Sequence, residues 1–259
     1  MGATGWRADC SHLPRPRELI TMRTSDLPTR RQNAQAAPSQ TISEKAYQLL
    51  RADIIAGGLA PGEKLRLQTL QERYELGLSP IREALMLLCG DGLVTNEGQR
   101  GFSVSKLSKS DLVDLMHART SVESLLLADA IEHGDDDWGA NIMAAYYRLT
   151  KARLPTDASD RVAVELWETA HRRFHFALIA AARSKWLLRI DEQLVDHSER
   201  YRRIRLAYPQ SSKELADDVL KEHLDLMEAV LARDTDKASQ LLRQHLMETA
   251  EVLSKRFAD

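Results

Sequence analysis

Ser79-Pro80-Ile81-Arg82-Glu83-Ala84-Leu85-Met86-Leu87-Leu88-Cys89-Gly90-Asp91-Gly92 opens on a serine and a proline and closes among glycines. A serine hydroxyl accepts from the free N–H groups of a helix's first turn, and proline at the first helical position lacks only an N–H that has no partner there. Ser79 is the expected N-cap, with the helix ending at Gly90-Asp91-Gly92. Ile81, Leu85 and Leu88 share one face, while Arg82, Glu83 and Met86 lie elsewhere, so the helix docks by one side and leaves the other open.

On the N-terminal side, Ile42, Ala46, Leu49, Leu50 and Ile54 recur at helical spacing from Thr41 until Gly57-Gly58 stops them. Leu59-Ala60-Pro61-Gly62 is a turn, and Leu67, Leu70 and Tyr74 mark a short second helix ending near Leu76-Gly77. On the C-terminal side, Leu93-Val94-Thr95 and Phe102-Ser103-Val104 read as strands around the hairpin tip Asn96-Glu97-Gly98-Gln99-Arg100-Gly101. Three helices followed by a hairpin form a winged helix-turn-helix over residues 41–106. In such a module the third helix enters the major groove and the hairpin reaches alongside it. Arg82, in the first turn, is placed to grip guanine O6 and N7 bidentately. Ser79 lies where backbone N–H groups meet phosphate, and Arg66 and Arg100 are candidate phosphate or groove contacts, with Gly101 permitting close approach. Arg73 is a further candidate. A lone arginine is ordinarily a solvated charge; the register of all these elements gives these arginines a use.

Residues 1–40 contain four prolines and six arginines against three acids, without periodicity. They read as a disordered tail, either a solvated leader with Met22 as an alternative start or a basic arm on phosphate. Residues 41–106 carry eight basic and eight acidic side chains, and residues 107–259 carry 22 against 27. DNA binding must then come from placing a few cations on one face. No stretch has the length of a membrane helix, and Arg15-Pro16-Arg17-Glu18 interrupts the only candidate for a secretory core, so a cytoplasmic location is expected. Cys10 and Cys89 are too few and too far apart for a disulfide framework or a thiolate zinc site.

From Ser108 onward the pattern is all helical, with segments expected at Ser110 to His133, Asp136 to about Arg153, and near 160–183, 185–207, 210–232 and 235–257. The fold class is mainly α: the winged helix, then an all-α bundle over residues 109–257, with the boundary near 106–109. In the bundle, His171 and His175 stand four apart on one helix, with His223 and His245 on two later ones. An antiparallel bundle can gather all four around a metal, and neutral imidazole suits Zn, Ni, Cu or Fe; packed core histidines are the alternative.

The stretches Gly58-Leu59-Ala60-Pro61-Gly62-Glu63-Lys64-Leu65, Pro80-Ile81-Arg82-Glu83-Ala84-Leu85 and Gly92-Leu93-Val94 resemble the GntR family of bacterial transcriptional regulators. Many relatives have an arginine where this chain has Leu78. Phe174-His175, Glu222-His223 and His245-Leu246 resemble the FCD sensor domain of the FadR branch, in which an acid and three histidines hold a metal beside an effector. Trp167-Glu168-Thr169-Ala170-His171-Arg172-Arg173-Phe174-His175 is similar to the CsiR-type repressors within it. His171 replaces the usual aspartate, so it either ligates the metal or bonds the effector.

The resemblance implies a divalent transition metal, zinc or nickel, held by His171, His175, His223 and His245. It also implies an effector carboxylate met by Arg119, with Glu123 one turn away; a salt-linked surface pair is the alternative for these two. Tyr201, with Arg202 and Arg205, either lines the same cavity or belongs to a solvated face, Glu199 to Arg203. Trp167, Trp186 and Phe176 are expected in the core. The expected protein is a homodimeric repressor on double-stranded operator DNA, released by a small carboxylate or dicarboxylate beside the metal. A regulator in which the ion itself is the signal is the alternative. A histidine-cluster hydrolase is disfavoured, because H-E-x-x-H is absent and no acid has catalytic spacing; the chain is not expected to be an enzyme.

Overall fold

The structure is a computed structural model that describes residues 40–152, 154–155, 160–206 and 213–255. The expected tail over 1–40 therefore lies, apart from Gln40, outside the described residues, as do Cys10, the break at Tyr208-Pro209 and the side chain of Arg205.

The N-terminal module consists of α1 (Ile42–Ile55), β1 (Lys64–Leu65), α2 (Leu67–Tyr74), α3 (Leu78–Gly90), β2 (Val94–Asn96) and β3 (Phe102–Val104). Thr41 and Glu44 cap α1 reciprocally, each side chain accepting from the other's backbone N–H. The helices close over Ala46, Leu50, Ile54, Leu70, Ile81, Leu85 and Leu88. β3 is the central strand of an antiparallel sheet ordered β1-β3-β2, with Leu65 opposite Phe102 and Val94 opposite Val104. A two-residue strand carries no periodicity, so β1 has no signature in the sequence.

The start of α3 differs from expectation. Its N-cap is Gly77, with no side-chain cap, and Ser79 already lies inside the helix, its hydroxyl donating to Glu83 Oε1 at 3.2 Å. Pro80 is thus the third helical residue, which is tolerated because the first helical N–H groups have no intrahelical acceptor.

The C-terminal part is α4 (Lys109–His133), α5 (Asp136–Lys151), α6 (Arg161–Ile179), α7 (Lys185–Leu206), α8 (Lys213–Leu231) and α9 (Thr235–Ser254). α4 packs on α9, α7 and α6, while α5 packs on α6 and α8. Ser108, Asp135, Asp160 and Asp234 each accept a first-turn N–H, so polar side chains mark four of the helix starts. Between α4 and α5 the Trp138 indole lies flat against Gly134, where a Cβ would fall 2.0 Å from Cε3. Glycine is needed there for space, since its φ of −64° suits any residue.

α7 joins the two parts. Asp196 pairs with Arg51 of α1 and accepts from Arg172 Nη1 of α6 at 2.6 Å. His197 Nε2 donates to the carbonyl of Asp91, the C-cap of α3, at 2.8 Å, and Tyr47 donates to the Asp91 carboxylate at 2.7 Å. Arg200 Nη2 donates to the Ser105 carbonyl just after β3 at 2.6 Å. The run from Glu199 to Arg203 is consequently not a solvated face: Glu199, Arg200, Tyr201 and Arg202 are all buried. Trp186, expected in the core, is 73% exposed near the start of α7.

Candidate functional site

The open face of α3 carries Ser79, Arg82, Glu83 and Met86, all exposed, opposite the buried Ile81, Ala84, Leu85 and Leu88. Because α3 starts at Leu78, Arg82 is its fifth residue and begins the second turn rather than the expected first; it projects away from the core near the N-terminal end, the part of a recognition helix that meets base edges. Glu83 sits on the same face and accepts from Ser43 as well as Ser79, which holds the carboxylate toward α1. Arg66 is the exposed N-cap of α2, and Arg100 ends a short 3-10 turn at the hairpin tip. Arg100 lies 3.8 Å from Glu97 with its side chain 82% exposed, so this ion pair contributes little and leaves the guanidinium reachable. Gly101 has φ of +80°, and nothing lies within 4 Å of where a Cβ would stand, so the tip backbone is open to a close neighbour. Arg73 is used inward instead, donating to Asp53 at 2.7 Å and to the Gly58 carbonyl at 3.2 Å.

Within the bundle, α6 supplies His171 and His175, α8 supplies His223 and α9 supplies His245. All four are buried, and one ligand atom from each lies within 4.8 Å of the others. His175 Nε2 and His223 Nε2 are 3.3 Å apart. His223 Nδ1 donates to the Val219 carbonyl at 2.5 Å, and His245 Nδ1 donates to Glu222 Oε2 at 2.8 Å. These acceptors take the Nδ1 protons and leave both Nε2 nitrogens unprotonated, that of His223 accepting from His175 Nε2, the arrangement that orients metal-binding imidazoles. His171 Nδ1 and His175 Nδ1 have no hydrogen-bond partner among the described residues. Trp167 stacks on His171 with centroids 4.7 Å apart, closing the side of the cluster.

Burial, followed by the charges of neighbouring histidines and of Arg119 and Arg202, holds these imidazoles neutral: His223 and His245 are pushed down to about 3, and His171 and His175 well below their ordinary range. Four neutral nitrogen donors, two of them already unpaired at Nδ1, fit a divalent transition ion better than calcium or magnesium.

Arg119 and Glu123 pair with each other and are 2% and 3% exposed, which excludes the surface-pair alternative. Arg119 Nη1 and Arg202 Nη1 both donate to Ser198 Oγ, at 2.9 and 3.2 Å, so two guanidinium groups converge on one hydroxyl. Arg202 Nη2 also donates to Glu168 Oε2 at 3.0 Å, while Glu168 Oε1 and Arg202 Nε stay unpartnered among the described residues. Asp191 is pushed up to about 8 by burial and then by the charge of Glu123. Tyr201 is buried, and its hydroxyl donates to Asp111 Oδ2 at 2.6 Å and meets the backbone of Ser108, fastening α7 to the start of α4.

Residues 42–104 match the family described as bacterial regulatory proteins, gntR family, and residues 114–248 match the FCD domain. The chain belongs to the GntR family and carries an FCD domain. It is 40% identical over 212 residues to the HTH-type transcriptional repressor GlaR of Escherichia coli K12, an alignment covering 82% of this chain and 96% of that protein. It is 37% identical over 217 residues to the HTH-type transcriptional regulator BphR of Paraburkholderia xenovorans LB400, covering 83% and 86%. Among solved structures, E. coli McbR/YncC superposes with a TM-score of 0.70 at 18% identity, covering 83% of this chain and 98% of that one, which is a likeness of fold.

As a GntR-family protein the chain is a DNA-binding transcriptional regulator rather than an enzyme, and its two-domain order agrees with the FadR branch. No helix among the described residues is long and apolar enough to cross a membrane. Sequence reading overlooks Ser198, Glu168 and Glu222. Glu168 precedes His171 by three residues, so helical spacing alone places it on the same face. Nothing local ties Ser198 to Arg119, because that contact joins two helices.

Proposed function

We propose that this GntR-family regulator is a homodimeric repressor that reads operator half-sites with Arg82 and anchors to phosphate through Ser79, Arg66 and the Arg100-Gly101 hairpin tip. Its release signal is a small carboxylate or dicarboxylate bound beside a divalent metal, zinc or nickel, in the FCD domain. The observation that carries this reading is the convergence of four buried neutral histidines with Arg119 and Arg202 around one interior. His171, His175, His223 and His245 would hold the metal, which supplies positive charge and positions for carboxylate oxygens. Arg119 and Arg202 would exchange Ser198 for a ligand carboxylate, for which planar two-pronged donors are well suited.

α7 provides the route to the DNA-binding module. Ser198 and Arg202 meet Arg119 and Glu168 in the bundle interior, while Asp196, His197 and Arg200 on the same helix hold α1, the end of α3 and the segment just after β3. A ligand that favours one placement of α7 would shift the module, and the coupling equals its difference in affinity for the two placements. Leu125 on α4 and Trp186 and Ile190 on α7 are exposed, and a second copy covering such a face would set the half-site spacing.

The test is a gel-shift titration on the DNA upstream of the gene with zinc- or nickel-loaded protein, with and without a series of straight-chain dicarboxylates. Retarded DNA that is freed by one member of the series is expected; failure to bind any DNA at low salt would overturn the reading. Four histidines by themselves complete a tetrahedral donor set, which favours a second reading in which the ion is the signal. In that case metal alone would change DNA affinity with no organic ligand present.

A further inference from the structure

A cavity of about 640 Å³ lies between the end of α1 with its following turn and the start of α6. Its wall is largely apolar, from Ile54, Ile55, Pro61, Val162 and Leu166, with Arg200 of α7 contributing a cation. Such a volume falls in the range of small-molecule sites, which favour domain junctions.

Arg200 is the unusual member. It is 3% exposed, yet no carboxylate pairs with it among the described residues, whereas the buried Arg119 and Arg202 each have one. Nη2 is used on the Ser105 carbonyl, but Nε has no partner among the described residues. Burial correspondingly lowers its pKa. The Asp111 carboxylate acts on it without a direct ion pair and is itself taken by the Tyr201 hydroxyl, so an anion in direct contact would remove much of the cost of burying this guanidinium. The other cations of the wall are already engaged, Arg73 by Asp53 and Arg203 by Glu199 and Glu165, apart from the exposed Arg161 near the rim.

We propose that this interdomain cavity binds an amphipathic monocarboxylate, its carboxylate on Arg200 and its hydrocarbon part against Ile54, Ile55, Val162 and Leu166. The site is separate from the histidine-lined interior and does not depend on the function proposed for it.

Octanoate is a suitable probe, titrated calorimetrically into the full-length metal-loaded protein, with octanol and octylamine as controls. Saturable binding of octanoate but of neither control is expected. Leu166→Asp, at a position 62% exposed and so tolerant of change, should weaken binding at least tenfold by placing a like charge in the wall. Arg200→Gln should do the same, and Arg119→Gln should leave octanoate binding intact. Three results would each overturn the proposal: no octanoate binding at millimolar concentration, binding indifferent to Leu166→Asp and Arg200→Gln, or binding abolished by Arg119→Gln. The last would assign the probe to the histidine site instead.

Discussion

Glu222 offers a sharp test of the proposed metal site because it reaches the four-histidine cluster through His245. Its carboxylate accepts from His245 Nδ1 at 2.8 Å, fixing the ring so that Nε2 faces the other three histidines, and its negative charge makes that nitrogen a better donor. Removing such a partner ordinarily lowers metal affinity by about 10- to 100-fold, or about 1.4 to 2.7 kcal/mol. The Glu222 side chain is 35% exposed, so water can partly replace it, and Glu222→Ala belongs at the lower end, about tenfold. Glu222→Gln retains an acceptor and loses the charge, so it should fall between wild type and alanine. Competition with a chromophoric chelator measures zinc affinity directly. Thermal melts with and without saturating zinc give the same difference independently, since a ligand that binds only the folded state stabilises it according to its affinity. Zinc affinity identical in wild type, Glu222→Gln and Glu222→Ala would refute the reasoning, because His245 would then not be oriented by this contact or would not ligate.

Metal-stripped protein should lose stability as pH falls below about 6.5. His223 and His245 have folded pKa values lowered from 6.5 to about 3, so the unfolded chain takes up protons first and stability declines across that interval; melts from about pH 7.5 to 4 check this. Arg82→Ala should cost about 1–3 kcal/mol of operator binding and relax selectivity at one base pair, whereas Arg100→Ala should weaken all DNA alike and reduce the salt slope by about 1, both readable by anisotropy titrations. Gly134→Ala must displace the Trp138 ring, and should destabilise the bundle by about 1–3 kcal/mol in denaturant melts; an unchanged midpoint would show that the ring has room to move.

The order of elements is legible in the sequence because each is set by local chemistry: the apolar spacing of Ile81, Leu85 and Leu88, the stop at Gly90, and the caps at Ser108 and Asp135 all act within a turn or two of chain. The histidines can be named for the same reason, His171 and His175 sharing a helical face by spacing alone. The start of α3 lies two residues before the capping signal, at Gly77, and the Ser79 hydroxyl instead donates to Glu83 four residues on. The strand β1 and the exposed Trp186 lie beyond local reasoning, since pairing and burial depend on what else arrives at that surface.

By itself, then, the sequence determined a winged helix followed by a helical bundle with four candidate ligands. Only the tertiary structure decided that Arg119 is buried against Ser198 with Arg202, that Tyr201 fastens α7 to the start of α4, and that α7 joins the helical bundle to the winged helix. Those contacts link residues 79 to 106 positions apart, and no helical period or local motif specifies which distant helix supplies the partner.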